Sequence, residues 1–264
     1  MHITITGNLG SGKSTVGKLI SEKHDFEIYS TGKVQRELAR QMNLSTLELN
    51  QLMMSDRKYD HMIDDETARI SRENKDKNII FDSRLAWHFV EESYKVFVSV
   101  NLDVAAERIM KDQRGAVEKY SSIEEAKRLL AERAKTESIR YKDIYNLNYM
   151  DFSNYNLIID STYCDAETIA EIIMEEAKEY YDNSKDTLKI LVSPKLFLFD
   201  DIDEKDDKKN LKDLIKDLES EFYIKDKIIK VKKKDGKYLV LENIDFAKAA
   251  LYAGVSYIQI ELIV

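Results

Sequence analysis

The sequence predicts an α/β protein built on a parallel sheet, and three observations carry that expectation. Strand-like and helix-like patterns alternate through roughly the first 180 residues. A glycine-rich run, Gly7-Asn8-Leu9-Gly10-Ser11-Gly12, falls between the first strand pattern and the first helix pattern. Two later strand patterns end in an aspartate, at Asp82 and Asp160. Alternation of this kind sets parallel strands side by side with helices on both faces.

The elements follow in order. Residues 2–6 are short and β-branched, and residues 13–24 show helical spacing with Val16, Leu19 and Ile20 apolar. Residues 26–29, 78–81, 94–100 and 155–159 are the next strand candidates, with helical segments between them. Ser45-Thr46-Leu47-Glu48 and Ser122-Ile123-Glu124-Glu125 read as capping boxes. Asp103 suits the cap of a helix starting near Val104, and residues 166–181 form a closing helix.

A polar break at residues 182–186 follows, and charged residues dominate from 200 to 237. A boundary near residue 185 is therefore expected, with a unit at 1–185 and a small α+β unit at 186–264. In the second unit, 189–192 is strand-like and 208–221 helical. Strand patterns at 228–231 and 238–241 flank Asp235-Gly236, a strong hairpin signal. A helix over 244–253 ends at Gly254, a fitting C-cap, and 256–263 alternates as a last strand.

Composition narrows the function classes. The net charge of -8 and pI near 5.3 disfavour a protein that coats nucleic acid through bulk charge. Cys164 is the single cysteine, so no internal disulfide is available and the chain reads as intracellular. His2, His24, His61 and His88 show no metal-ligand spacing. The first residues lack the pattern of a signal peptide, and no apolar run reaches the roughly 18 residues of a membrane span. The expected location is the cytoplasm, with no membrane partner.

The run Gly7 to Ser14 fits G-x-x-x-x-G-K-[ST] in full, at the strand-to-helix turn the motif requires. Glycines let the backbone curl so that successive N–H groups of Gly7, Asn8, Leu9, Gly10, Ser11 and Gly12 point at phosphate oxygens. The helix through Lys13, Ser14 and Thr15 offers its positive dipole end to the same anion. Lys13 neutralises β- and γ-phosphate charge, and the Ser14 hydroxyl suits Mg2+. Asp82, ending an apolar strand, suits a second metal-side or acceptor-orienting position, although parallel strands also end in aspartate for turn reasons.

In an open parallel sheet, ligands sit beyond the carboxyl ends of the strands. Ser30-Thr31-Gly32 with Arg36, and Asp82-Ser83-Arg84, both occupy such positions. One arginine there makes a surface ion pair; two suggest a second phosphate-bearing ligand. Arg133 and Arg140 lie seven apart, two helical turns, and share a face. They fit either a mobile arm closing on a transferring phosphoryl group or a solvated, salt-bridged helix, since Glu132 and Glu137 are near.

The assembled order resembles the nucleoside monophosphate kinases, most closely the cytidylate kinase-like family of the archaeal type. The matching features run from His2-Ile3-Thr4-Ile5-Thr6-Gly7 through Ser30-Thr31-Gly32 and Arg36-Glu37-Leu38-Ala39. They continue with Asp60, Asp64, Arg84-Leu85-Ala86-Trp87, Ala106-Glu107-Arg108-Ile109 and residues 133–141. The resemblance covers about residues 1–180. It implies a P-loop NTPase fold, a five-stranded parallel sheet with an acceptor arm and a lid. It also implies transfer of a phosphoryl group from ATP to CMP or dCMP with Mg2+, with Ser14 and Asp82 on the metal. By position it places Arg36 and Arg84 on the acceptor phosphate, and Ser30 and Asp64 near the nucleoside. Lys13, Arg133 and Arg140 would act on the transferring phosphate, with Arg114 near the ATP. One departure stands out: Asp82-Ser83-Arg84 replaces the usual Glu-Gly-Arg, which bears on acceptor preference.

Residues from about 225 to 264 resemble the ParB-like N-terminal fold through Ile228-Ile229-Lys230-Val231, the Asp235-Gly236 hairpin, Tyr238-Leu239-Val240, and Ala249-Ala250 with Ala253-Gly254. Asn243-Ile244-Asp245-Phe246 stands where that family carries paired arginines. A degenerate unit used for packing or partner contact is the expectation. Two alternatives accompany the main reading: a P-loop kinase with another small acceptor, and a non-enzymatic ATP-dependent regulator contacting a protein partner through its second unit.

Overall fold

The computed structural model describes residues 1–112, 120–183, 187–201 and 203–263. Ten strands lie in one sheet: β1 (His2–Gly7), β2 (Glu27–Ser30), β3 (Ile79–Asp82), β4 (Tyr94–Ser99), β5 (Leu157–Asp160), β6 (Lys189–Val192), β7 (Phe197–Leu198), β8 (Tyr223–Lys234), β9 (Lys237–Val240) and β10 (Tyr257–Leu262). Their spatial order is β2-β3-β1-β4-β5-β6-β10-β8-β9-β7.

The sequence leads to an expectation of five parallel strands, whereas the sheet formed by the described residues has ten. β2, β3, β1, β4 and β5 are indeed parallel neighbours, but the sheet does not stop at β5. β6 pairs in parallel with β5, Leu157 opposite Lys189, and β10 pairs antiparallel with β6. The free N–H and C=O groups along β5 recruit a further strand, as unpaired sheet edges do. Strand patterning shows which residues extend, not which edge they join.

The helices are α1 (Lys13–His24), α2 (Thr31–Gln41), α3 (Thr46–Ser55), α4 (Lys58–Glu73), α5 (Ala86–Phe89), α6 (Leu102–Lys111), α7 (Ile123–Tyr145), α8 (Ala166–Asn183), α9 (Glu204–Asn210), α10 (Lys212–Leu218) and α11 (Ile244–Ala253). On one face of the sheet, Val16 and Ile20 of α1 and Ile169 and Ile173 of α8 pack over Ile3, Ile5, Val98 and Ile159. On the other, Leu85, Trp87 and Tyr141 close over Phe97 and Ile158. Each of these large buried side chains contributes roughly 1.5–3 kcal/mol. No helix among the described residues is long and apolar enough to cross a membrane.

Helix ends differ from the expected pattern in instructive ways. Ser45 and Glu48 form the expected reciprocal box at α3. At α7, Ser122 accepts from Glu125 N, but the Glu125 carboxylate takes the Ser121 N–H at 2.6 Å instead of closing the box. Asn101, not Asp103, caps α6, accepting from Asp103 N at 2.8 Å. The helical pattern over 208–221 is two short helices, α9 and α10, parted at Leu211. Asp235 (φ 48) and Gly236 (φ 77) both take positive φ, the pairing a two-residue hairpin between twisted strands requires.

Candidate active site

β1 delivers Gly7 to the carboxyl edge of the sheet, where the backbone turns into α1. Gly7 holds φ 146 and lies against β4 so closely that a Cβ would come within 2.1 Å of the Val98 carbonyl oxygen. Gly12 caps α1 with φ 85, and its missing side chain opens onto free space. α1 carries no acid in its first turn, so its positive end is left to an anion. The Lys13 ammonium donates to the Asn8 carbonyl at 3.0 Å and to the Gly7 carbonyl at 3.4 Å, folding back along the loop.

The Ser14 hydroxyl donates to Asp82 Oδ2 at 2.8 Å, and Ser30 Oγ donates to the same oxygen at 3.3 Å. Two hydroxyls, from the first turn of α1 and the carboxyl end of β2, thus converge on the carboxylate that ends β3. This hydroxyl–carboxylate pair fits Mg2+, which binds hard oxygens and keeps waters and phosphate oxygens as its other ligands. Among the described residues no group of three or more His, Cys, Asp or Glu side chains is placed to hold a metal. The oxygen pair therefore suits an ion that arrives with phosphates better than a caged one.

One cleft gathers Lys13, Ser14, Arg36, Asp82, Arg84 and Arg133, with Thr31, Gln35, Asp112, Glu137 and Tyr141 also on its walls. Arg84 donates through Nε to Glu137 Oε2 at 2.8 Å and through a terminal nitrogen to the Gly7 carbonyl at 2.7 Å. Its guanidinium also lies 5.9 Å from the centre of the Tyr149 ring. Arg133 donates through Nε to Glu137 Oε1 at 2.9 Å and to Thr46 Oγ1 of α3 at 3.3 Å. Burial alone would raise the Glu137 carboxyl, but the Arg84 and Arg133 guanidiniums outweigh it and hold it at about 2.

Not every predicted site residue reaches this cleft. Arg140 is 1% exposed and sits beneath the wall, pairing with Asp60 at 3.3 Å and donating to Asn50 Oδ1 at 2.5 Å. Asp64 on α4 accepts from the Tyr145 hydroxyl at 2.8 Å, away from the cleft. Burial is the main cause that lifts its carboxyl to about 7, partly offset by the Tyr145 hydrogen bond. Arg114 lies outside the described residues. The solvated, salt-bridged face of α7 carries Arg128 and Glu132, which form an exposed pair, whereas Arg133, Glu137 and Arg140 are buried on another face.

Glu137 and Tyr141 are site residues that sequence reasoning passed over. The available signal was the i, i+4 spacing of Arg133 and Glu137 on a face shared with Arg140. A second hollow lies on the other flank of the P-loop, between Gly12, Thr15, Arg108, Ser161, Cys164 and Asp165.

A profile of the Cytidylate kinase-like family matches residues 2–163. A cytidylate kinase of Methanococcoides burtonii is 34% identical over 173 residues, covering 66% of this chain and 94% of its own length. One of Methanobrevibacter smithii is 33% identical over 178 residues, covering 67% and 99%. One of Methanosarcina mazei is 36% identical over 166 residues, covering 61% and 87%. These relatives are nearly spanned, while roughly a third of this chain lies outside the match.

Proposed function

The chain belongs to the cytidylate kinase-like family, and from that premise we propose that it transfers the γ-phosphoryl group of ATP to CMP or dCMP. It is a nucleoside monophosphate kinase, and ATP is its phosphate donor. The observation that carries the choice of acceptor class is the cleft itself. A triphosphate cradle built on Lys13 and Ser14 faces three arginines, Arg36, Arg84 and Arg133, within one hollow. A guanidinium on the transferring group serves any acceptor, so it is Arg36 and Arg84, beyond Arg133, that favour an acceptor bearing a phosphate.

In this reading an oxygen of the acceptor phosphate attacks the γ-phosphorus, the bond to the β–γ bridging oxygen breaks, and ADP and CDP leave. Lys13 and the α1 N-terminus hold the β- and γ-phosphates. Arg36 and Arg84 hold the acceptor phosphate and set it in line. Arg133 offsets the charge that spreads over the transferring group. Arg140 acts from behind, fixing α7 to α3 and α4 through Asn50 and Asp60. Mg2+ bound at Ser14 and Asp82 would neutralise phosphate charge. Ser30 and Asp64 stay on the acceptor side, Ser30 by orienting Asp82 and Asp64 by shaping the arm.

For the region beyond 185, a role in packing or partner contact is the reading that its missing arginines support. Phe222, Ile228, Leu241 and Ile244 are exposed there.

The decisive experiment is an acceptor panel with ATP and Mg2+, following ADP release. CMP and dCMP should respond most strongly. A chain that hydrolyses or binds ATP yet phosphorylates no monophosphate would be a regulator or a kinase of another acceptor.

A further inference from the structure

The C-terminal strands are tied to the wall of the hollow beside the P-loop. β10 supplies the tie. The Tyr257 side chain is 0% exposed and sits in the same apolar cluster as Ile159 of β5 and Ile169 of α8. Its hydroxyl donates to the Asp160 carbonyl at 2.6 Å, and the Cys164 thiol donates to the neighbouring Ser256 carbonyl at 3.3 Å. The loop from β5 to α8 is therefore gripped from behind at Asp160 and at Cys164.

The front of that loop faces the P-loop. Ser161, Cys164 and Asp165 line the hollow together with Gly12, Thr15 and Arg108. Arg108 closes it from α6, donating to Ser161 Oγ at 3.0 Å and to the Ser161 carbonyl at 2.6 Å. Both hollows share Gly10, Gly12, Thr15 and Asp112, so a triphosphate on the P-loop has its nucleoside end on one side or the other. The arginine-lined cleft is needed for the acceptor. The donor's base and sugar are left with the hollow that Ser161 and Cys164 wall.

We infer that Tyr257 is a positioning residue for the donor purine nucleotide, and that the C-terminal strands are a working part of the donor site. This rests on the kinase reading above for which side each nucleotide takes. The physical reason is rigidity: a loop pinned by a buried hydroxyl–carbonyl bond keeps its contact surface in one shape, and a preorganised wall lowers the ordering cost of binding.

The test uses the full chain and two matched variants. Tyr257→Phe removes the hydroxyl that reaches Asp160. Tyr223→Phe is the control: Tyr223 is also in the central cluster, but its hydroxyl donates to Glu176 on α8 at 2.9 Å and does not touch the loop. Tyr257→Phe should weaken ATP binding, measured without acceptor, by about 3- to 10-fold, the ordering cost of a wall that has lost its brace. KM for ATP should rise by the same factor while KM for CMP stays within about twofold. Tyr223→Phe should leave ATP binding unchanged. Unchanged ATP affinity in Tyr257→Phe, or an equal loss in Tyr223→Phe, would overturn the proposal. Hydrogen exchange on the wild type decides without a variant: ATP should slow amide exchange at residues 161–166 and 256–258 together, and protection of the P-loop alone counts against it. ATP binding by a wild type that phosphorylates no monophosphate would fail the kinase reading and leave the exchange result standing.

Discussion

The Arg84 guanidinium and the Glu137 carboxylate meet at 2.8 Å inside the cleft, with Glu137 only 2% exposed. Through its other oxygen Glu137 also holds Arg133, so a single carboxylate spaces two cations from β3's end and from α7. Without it, two guanidiniums in a poorly solvated site would repel each other. With it, their remaining N–H groups keep a fixed separation before any phosphate arrives.

Glu137→Gln should therefore lower both stability and activity. A neutral amide cannot accept from both arginines, and its own N–H group faces a cation. Breaking a buried pair of this kind costs about 3 kcal/mol or more. Urea unfolding should show that loss, and CMP phosphorylation should fall on the order of 10- to 100-fold. Wild-type stability in Glu137→Gln would mean the ion pairs contribute nothing net.

The pH dependence of stability should carry two opposite signatures. Asp64 keeps its proton to about pH 7 in the fold because burial disfavours the anion, against an ordinary value of 3.8. Between those values the folded state binds more protons than the unfolded chain, so stability falls as pH rises from about 4 to 7 and levels off above. Glu137, held at about 2, does the reverse: its contribution is present above its ordinary value of 4.5 and is lost as pH falls toward 2. Asp64→Asn should flatten the slope between pH 5 and 7, raising stability near pH 8 by up to about 4 kcal/mol. Urea midpoints of both proteins across pH 5 to 8 check this, and parallel curves would remove Asp64 as the cause.

Lys13→Ala should reduce turnover by about 10³-fold, because it removes the ammonium that would meet the β- and γ-phosphates. Robust CMP phosphorylation by that variant would sink the assignment. Ser14→Ala and Asp82→Asn should each raise the Mg2+ concentration needed for half-maximal rate, read from a metal titration after chelation.

Arg36→Ala should raise KM for CMP about tenfold or more and leave KM for ATP within about twofold, the split expected of a group that contacts only the acceptor. Arg84→Ala should show the same split together with a drop in stability, because Arg84 also holds Glu137 and the Gly7 carbonyl. Equal effects on both substrates would place these arginines on shared structure.

The local chemistry is legible in runs of neighbouring residues. Gly7, Gly10 and Gly12 take the positive φ values that let a backbone curl around phosphate, and a strand before them and a helix after them are written in side-chain periodicity. The Asp235-Gly236 turn and the Ser45–Glu48 box were legible for the same reason: each is a bargain among residues a few positions apart. Which charges face the cleft depends instead on how distant segments pack. Arg133 and Arg140 share a helical face and a residue type, yet Arg133 reaches the cleft and Arg140 is sealed beneath it with Asp60, because α3 and α4 pack over that end of α7. Likewise β6 and β10 read as strands, but the place of β6 beside β5 and of β10 beside β6 is set by edges distant in the chain. The P-loop was written in eight consecutive residues; its second substrate's pocket and the wall held by Tyr257 exist only where distant segments meet.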